Sequence, residues 1–233
     1  MLQNFFKLNE PWKEIADEDV FVEHFTLSND LRNVLYRPDR LSPRSPYRLK
    51  SKTFENVSFS KTVVERVVFR ECSFVDCLFI GTTFRKCEFH SCTFIGCNPH
   101  KIIFEESYID PKCFKNLLDP YNQTNIGLHL FNQLEQNARK QEQYQFISSA
   151  AFLYRRWRRY HLNWEYSQGH IKKWSYVFKW TPDYVYDLVA GYGWKVQNFI
   201  ISSIAFILII SLCNHFFWDY LGMSGSNLKG GSN

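Results

Sequence analysis

Between Phe54 and Phe114 the large apolar positions recur every five residues, a spacing that fits neither a helix near 3.6 nor a strand at 2. Phe54, Phe59, Phe69, Phe74, Phe79, Phe84, Phe89, Phe94, Phe104 and Phe114 follow this period, and only Val64, Pro99 and Ile109 interrupt thirteen slots. Two residues before each slot runs a second series, Val57, Thr62, Val67, Cys72, Cys77, Thr82, Cys87, Cys92, Cys97, Ile102 and Ser107, small or β-branched for the most part. Two positions in five are therefore inward, and the remainder are mostly polar. A five-residue unit buries nothing alone, so it must stack on copies of itself, as solenoid repeats do.

With Leu or Phe at the centre and Ala, Cys, Ser, Thr or Val two residues earlier, the stretch from 52 to 114 resembles the pentapeptide-repeat family. The resemblance implies a right-handed quadrilateral β-helix with one pentad per face, residues 20 apart stacked, and about three coils. Cys72 would then lie under Cys92, and Cys77 under Cys97. Open coil ends expose unpaired strand edges, so both need caps. Residues 1–50 are expected to form the N-terminal cap region and residues 51–118 the β-helix, with the ten phenylalanines and Cys72, Cys77, Cys87, Cys92 and Cys97 as its core ladder.

Outside the pentads the period changes. Ile126, Leu130, Phe131, Leu134 and Ala138 follow helical spacing, as do Phe146, Ala150, Leu153, Trp157, Tyr160 and Trp164, which predicts two amphipathic helices joined near 140–143. Thr181, Pro182 and Asp183 read as the start of a short interfacial helix ending at Gly191. Residues 119–193 thus form a helical linker with that interfacial helix. Residues 194–218, read as one transmembrane helix, contain FIISSIAFILIISLCNHFFW, twenty residues without a formal charge, long enough for one membrane crossing. Residues 219–233 read as a flexible polar tail.

Composition and charge refine this order. The chain has 233 residues, 45% hydrophobic and 18% aromatic, with net charge +5. Arg155, Arg156, Arg158, Arg159, Lys172, Lys173 and Lys195 precede the apolar run, while Lys229 alone follows it. That bias places the N-terminus in the cytoplasm, in a single-pass protein of the inner or cytoplasmic membrane, with Trp180, Trp194 and Trp218 as interfacial anchors. The expected partners are the lipid bilayer and either other copies of the chain, a tetramer among them, or another membrane protein; nucleic acid is not expected.

The cysteines tempt a metal reading, but a slot that also accepts Val67 and Thr82 is a packing slot, and no C-x2-C pair occurs. No cofactor is expected, and no nucleophile motif argues for an enzyme. Gly191-Tyr192-Gly193 imitates the core of a potassium filter, yet it precedes the apolar run and reads as a turn. Val75, Ile80 and Ile95 are apolar at outward positions, either a docking patch or scattered exposed side chains.

The sequence LEQNARKQEQYQFISSAAFLYRRWRRYH followed by YDLVAGYGWKVQNF resembles bacterial membrane proteins in which a pentapeptide-repeat domain precedes a two-span potassium-channel-like pore. That resemblance, over about 51–218, implies a regulatory or docking part of a tetrameric cation channel. No filter and no second span follow Trp218 here, so this chain alone is not expected to conduct. The alternative role, a DNA-mimicking topoisomerase inhibitor, needs a long negative rod and conflicts with the basic charge, the short ladder and the apolar span.

Overall fold

Most pentads fold as a short strand followed by a corner, and the corner explains the period. The backbone enters the left-handed region at Asn56, Lys61, Arg66, Glu71, Asp76, Gly81, Lys86, Ser91, Gly96, Lys101 and Glu106, with φ from 48° to 65°. A side chain in that conformation ordinarily costs about 1–2 kcal/mol. Here each turn is held by hydrogen bonds to the neighbouring coil: the Asp76 N–H donates to the Ile95 carbonyl and the Glu71 N–H to the His90 carbonyl, both at 2.8 Å. Five residues make one face because the left-handed residue turns the chain after each strand.

The structure, a computed structural model, describes residues 4–27, 30–43, 47–190 and 196–220. Residues 1–176 form one compact unit and residues 177–233 a second. The strands of the first unit begin with β1 (Lys13–Ile15), β2 (Asp30–Tyr36), β3 (Arg40–Leu41), β4 (Tyr47–Lys50), β5 (Thr53–Ser58), β6 (Val63–Glu65) and β7 (Val67–Arg70). They continue with β8 (Ser73–Val75), β9 (Thr83–Arg85), β10 (Glu88–His90), β11 (Thr93–Ile95), β12 (Ile103–Glu105) and β13 (Tyr108–Ile109). Three parallel sheets result, ordered β1-β2-β5-β8-β11, β13-β10-β7-β4 and β12-β9-β6-β3. Bridges linking Ser58, Leu78 and Asn98 mark the fourth face.

The register is 20 residues through most of the ladder, with Phe54 opposite Phe74, Phe74 opposite Phe94, Phe69 opposite Phe89 and Phe84 opposite Phe104. The rings stack, with centroids 4.6 Å apart for Phe54 and Phe74, and 4.9 Å for both Phe74–Phe94 and Phe69–Phe89. On the other two faces the stacking is looser, 5.7 Å for Phe84–Phe104 and 6.0 Å for Phe59–Phe79. Phe79 is 1% exposed and Phe104 4%, and all ten ladder phenylalanines are buried, between 0% and 6% exposed. At roughly 1.5–3 kcal/mol for each large side chain, they are a large favourable term of the β-helix.

The solenoid makes about four turns rather than three, and it starts before residue 51. Leu31 pairs with Phe54 and Leu41 with Val64, 23 residues on, whereas Leu49 pairs with Phe69, 20 residues on. The first coil therefore has three extra residues between Leu41 and Tyr47, within the sequence SPRSP. Leu31, Tyr36 and Leu41 keep the five-residue period, and all three are buried. The phase slip, and Leu or Tyr in place of Phe, hide this coil from a search for the later phase.

The N-terminal opening is closed by α1 (Glu18–Leu27), whose Phe21 is fully buried against Tyr36 and Phe59, with ring centroids at 4.5 and 5.6 Å. At the other end a 3-10 turn, Pro111–Phe114, places Phe114 4.5 Å from Phe94 as the last ring of that column. Phe114 also meets Phe104, with ring centroids 6.1 Å apart, so the turn covers two faces at once. Two helices follow, α2 (Thr124–Lys140) and α3 (Tyr144–Ser167), packed on each other through Ile126, Leu130, Phe131, Leu134, Ala150, Leu153 and Trp157. A Cβ on Gly127 would collide with the Trp157 ring, so glycine is what lets the indole close on α2.

Asn137 on α2 completes the cap. Its Oδ1 accepts from the Ser107 N–H at 3.1 Å and its Nδ2 donates to the Ser107 carbonyl at 2.7 Å. The side-chain amide thereby stands in for the peptide group of a further coil, satisfying a buried backbone edge.

Helix α4 spans Lys173–Ala190 and contains Pro182 in its interior. The expected helix start at Thr181 is thus wrong: Pro182 withholds one N–H from the helix without ending it, and the aromatic residues before it are helical as well. Helix α5 spans Val196–Tyr220, and its segment Ile200–Phe217 is long and apolar enough to cross a membrane, with mean hydropathy 2.1.

Candidate interaction surfaces

The inner wall of small side chains does more than fill space. The thiols of Cys77, Cys87, Cys92 and Cys97 donate to the carbonyls of Phe54, Val64, Phe69 and Phe74 at 3.3–3.5 Å, each the central residue of the stacked pentad in the preceding coil. Cys72 reaches the Leu49 carbonyl at 3.6 Å. Thr82 and Ser107 do the same with hydroxyls, at 2.7 Å to Phe59 and 3.0 Å to Phe84. Sulfur donors are weak, but they tie coil to coil where Val57 or Val67 cannot. The sequence marks these positions as small without revealing the carbonyl each one faces.

Burial pushes the Cys77 thiol up and Cys87 to about 12. The Cys72 and Cys92 thiols meet, and hydrogen bonding from Cys92 holds Cys72 to about 7 against the effect of burial, while Cys92 is pushed up. Cys72 is only 1% exposed, so this thiol faces the core and not solvent. Among the described residues no three His, Cys, Asp or Glu side chains are grouped to hold a metal ion.

On the outside, charges of opposite sign alternate from coil to coil. Arg32 lies 3.3 Å from Glu55, Arg40 3.6 Å from Glu65, Arg85 2.7 Å from Glu105 and Lys86 3.5 Å from Glu106. Such exposed pairs contribute little stability each. Their effect is to give the coils a mixed-sign surface, unlike the continuous negative rod a DNA mimic needs.

The apolar exceptions fall on the same sheet or beside it. Val75 and Ile95 are directly opposite in β8 and β11, Val75 half-buried and Ile95 59% exposed. Ile80 is half-buried in the turn that follows the fourth face, and its carbonyl accepts from the Lys61 N–H at 2.8 Å. The register brings Val75 and Ile95 into one column, continuing the column of Glu55, and leaves Ile80 on another.

Of the basic residues before the apolar helix, Arg158, Lys172 and Lys173 are exposed, while Arg155, Arg156 and Arg159 are half-buried around the buried Trp157. Trp180 is half-buried and stacks on Tyr184 at 4.7 Å. Trp194, Lys195 and the Gly191-Tyr192-Gly193 turn lie outside the described residues, as does the tail from 221, and only the backbone of Trp218 is described, in α5. No part of Ile200–Phe217 is buried, and its large apolar side chains are 52–69% exposed.

Comparison with known proteins agrees with the ladder. Residues 65–98 match the family model described as Pentapeptide repeats (8 copies), a segment that lies wholly within the regular 20-residue register. No curated protein and no solved structure matches the chain. The solenoid carries the pentapeptide repeat over that segment, and the segments flanking 65–98 stand on the structure alone.

Proposed function

We propose that the chain is a non-enzymatic, membrane-anchored interaction protein in which α5 crosses the bilayer once and the solenoid serves as a docking or assembly domain on the cytoplasmic side. The observation that carries this reading is α5 itself: 18 consecutive residues at mean hydropathy 2.1 with none of the window buried. So long an apolar helix surface is unfavourable in water, and its length matches the hydrocarbon thickness. The Lys and Arg bias on its N-terminal side supports a cytoplasmic N-terminus.

The order of parts, a repeat solenoid, a helical pair, then an apolar span, supports a finer reading as the regulatory or docking part of an ion-channel-like assembly. In that reading Val75 and Ile95 form a contact with a second copy of the chain. Expressed as the full chain, the protein should remain in the membrane pellet after alkaline carbonate extraction, and Ile204→Arg with Leu208→Arg should move it to the supernatant. Recovery of the wild-type chain in the carbonate supernatant would contradict the anchor. For assembly, Val75→Lys with Ile95→Lys should reduce the size of the detergent-solubilised complex; an unchanged size removes those two residues from the contact.

A further inference from the structure

A cleft of about 440 Å³ lies between the 3-10 turn region and α3, lined among others by Lys115, Leu118, Pro120, Arg156, Trp157 and Tyr160. Its volume falls within the range of about 300–1,000 Å³ typical of small-molecule sites. Two of its lining residues are cationic and none is acidic.

Arg156 is half-buried and held in place. Its Nε donates to the Tyr160 hydroxyl at 2.7 Å, and its guanidinium carbon lies 5.7 Å from the centre of the Tyr160 ring. Both contacts are to one uncharged side chain, Tyr160. Elsewhere in this unit Arg32, Arg37, Arg40, Arg85, Lys86 and Arg139 all pair with carboxylates, but among the described residues no acid pairs with Arg156 or Lys115. Asp119, close by in sequence, accepts from the Tyr121 N–H and the Asn122 amide instead. A partly desolvated guanidinium without a counter-charge is unfavourable, and an anion from outside would offset that cost.

The cleft shares Pro120 and Tyr160 with a second depression lined by Tyr121, Asn163, Trp164 and Ser167, where Tyr121 is exposed and most of the lining is apolar. Cationic and aromatic parts therefore adjoin. We propose that this surface binds the phosphate group of a small molecule with an apolar or aromatic body, the phosphate between Arg156 and Lys115 and the body over Tyr160 toward Trp164. The planar guanidinium suits two phosphate oxygens at once, and the Lys115 ammonium adds a point charge. A lipid phosphate and a soluble phosphate monoester share this chemistry. The site lies wholly within residues 115–167 and does not depend on α5 crossing a membrane.

The full chain in a nonionic detergent, titrated calorimetrically with phenyl phosphate and separately with dioctanoyl phosphatidic acid, tests it. Saturable binding is expected, weakened by salt and more than about tenfold weaker in Arg156→Gln, the loss of a charge-assisted pair. Arg156→Lys should fall between, and inorganic phosphate should bind more weakly than phenyl phosphate. The tighter of the two probes identifies the source as lipid or soluble. Lys115 is exposed, so Lys115→Gln tests the same site without disturbing the fold, with a loss of several-fold expected. No saturable binding of either probe, or affinity unchanged in both Arg156→Gln and Lys115→Gln, overturns the proposal.

Discussion

Phe74 and Phe206 are the same side chain put to opposite uses. In the solenoid Phe74 is 1% exposed and stacked between Phe54 and Phe94, whereas in α5 Phe206 is 63% exposed. The difference lies in the neighbours each spacing creates. A five-residue period with a left-handed corner brings each ring over the ring 20 residues away, so apolar surface is consumed within the chain. A helix that is apolar all round has no such inward side and leaves its surface exposed. Hydrophobicity alone does not distinguish the two regions, and periodicity does.

The largest effect is expected at the centre of the ladder. Phe74→Ala removes the middle ring of a stacked column and should cost about 3–5 kcal/mol of solenoid stability, read from denaturant unfolding by circular dichroism. The matched change in the exposed helix, Ile207→Ala, should shift the same transition by less than about 0.5 kcal/mol. Equal effects would show that α5 belongs to the solenoid core.

The cap comes next. Asn137→Ala leaves the Ser107 N–H and carbonyl without the amide that satisfies them, an expected loss of about 1–3 kcal/mol, with faster hydrogen exchange at the last coil than at the first. Gly127→Ala should destabilise by about 1–2 kcal/mol although alanine is the better helix former, because its Cβ collides with Trp157. A stabilised Gly127→Ala variant would mean that the indole does not sit against α2. Among the changes within the solenoid and its cap, the smallest effect is expected for Thr82→Val, about 1 kcal/mol, from the lost bond to the Phe59 carbonyl in a side chain of unchanged shape.

The regular coils are legible in the sequence because Phe in ten slots, from Phe54 through Phe79 and Phe104 to Phe114, repeats without a change of phase, and the local rule and the stacking rule agree there. The first coil is not, since three extra residues between Leu41 and Tyr47 shift its phase and only pairing reveals that Leu41 stacks on Val64. The corners are also hidden: left-handed residues are usually sought as glycine or asparagine, but Lys61, Arg66 and Glu71 adopt the same φ under pressure of the coil. Nor can spacing alone relate Asn137 to Ser107, which requires knowing how α2 lies on the last strand. Pro182 misleads in the other direction, because proline in a first turn and proline within a helix look alike in sequence. The cleft at Arg156 is legible only as a group of arginines; its lack of an acidic partner is a property of the packing.

The most direct test of the anchored-solenoid account uses a native reporter in α5. Cys213 is exposed, five other cysteines are buried in the ladder and Cys113 is half-buried, so a Cys113→Ser chain can be spin-labelled at one position. In liposomes a label at Cys213 in an α5 that crosses the bilayer should collide readily with oxygen and be shielded from a water-soluble nickel chelate. A label open to the nickel chelate and no more accessible to oxygen than in water would contradict it.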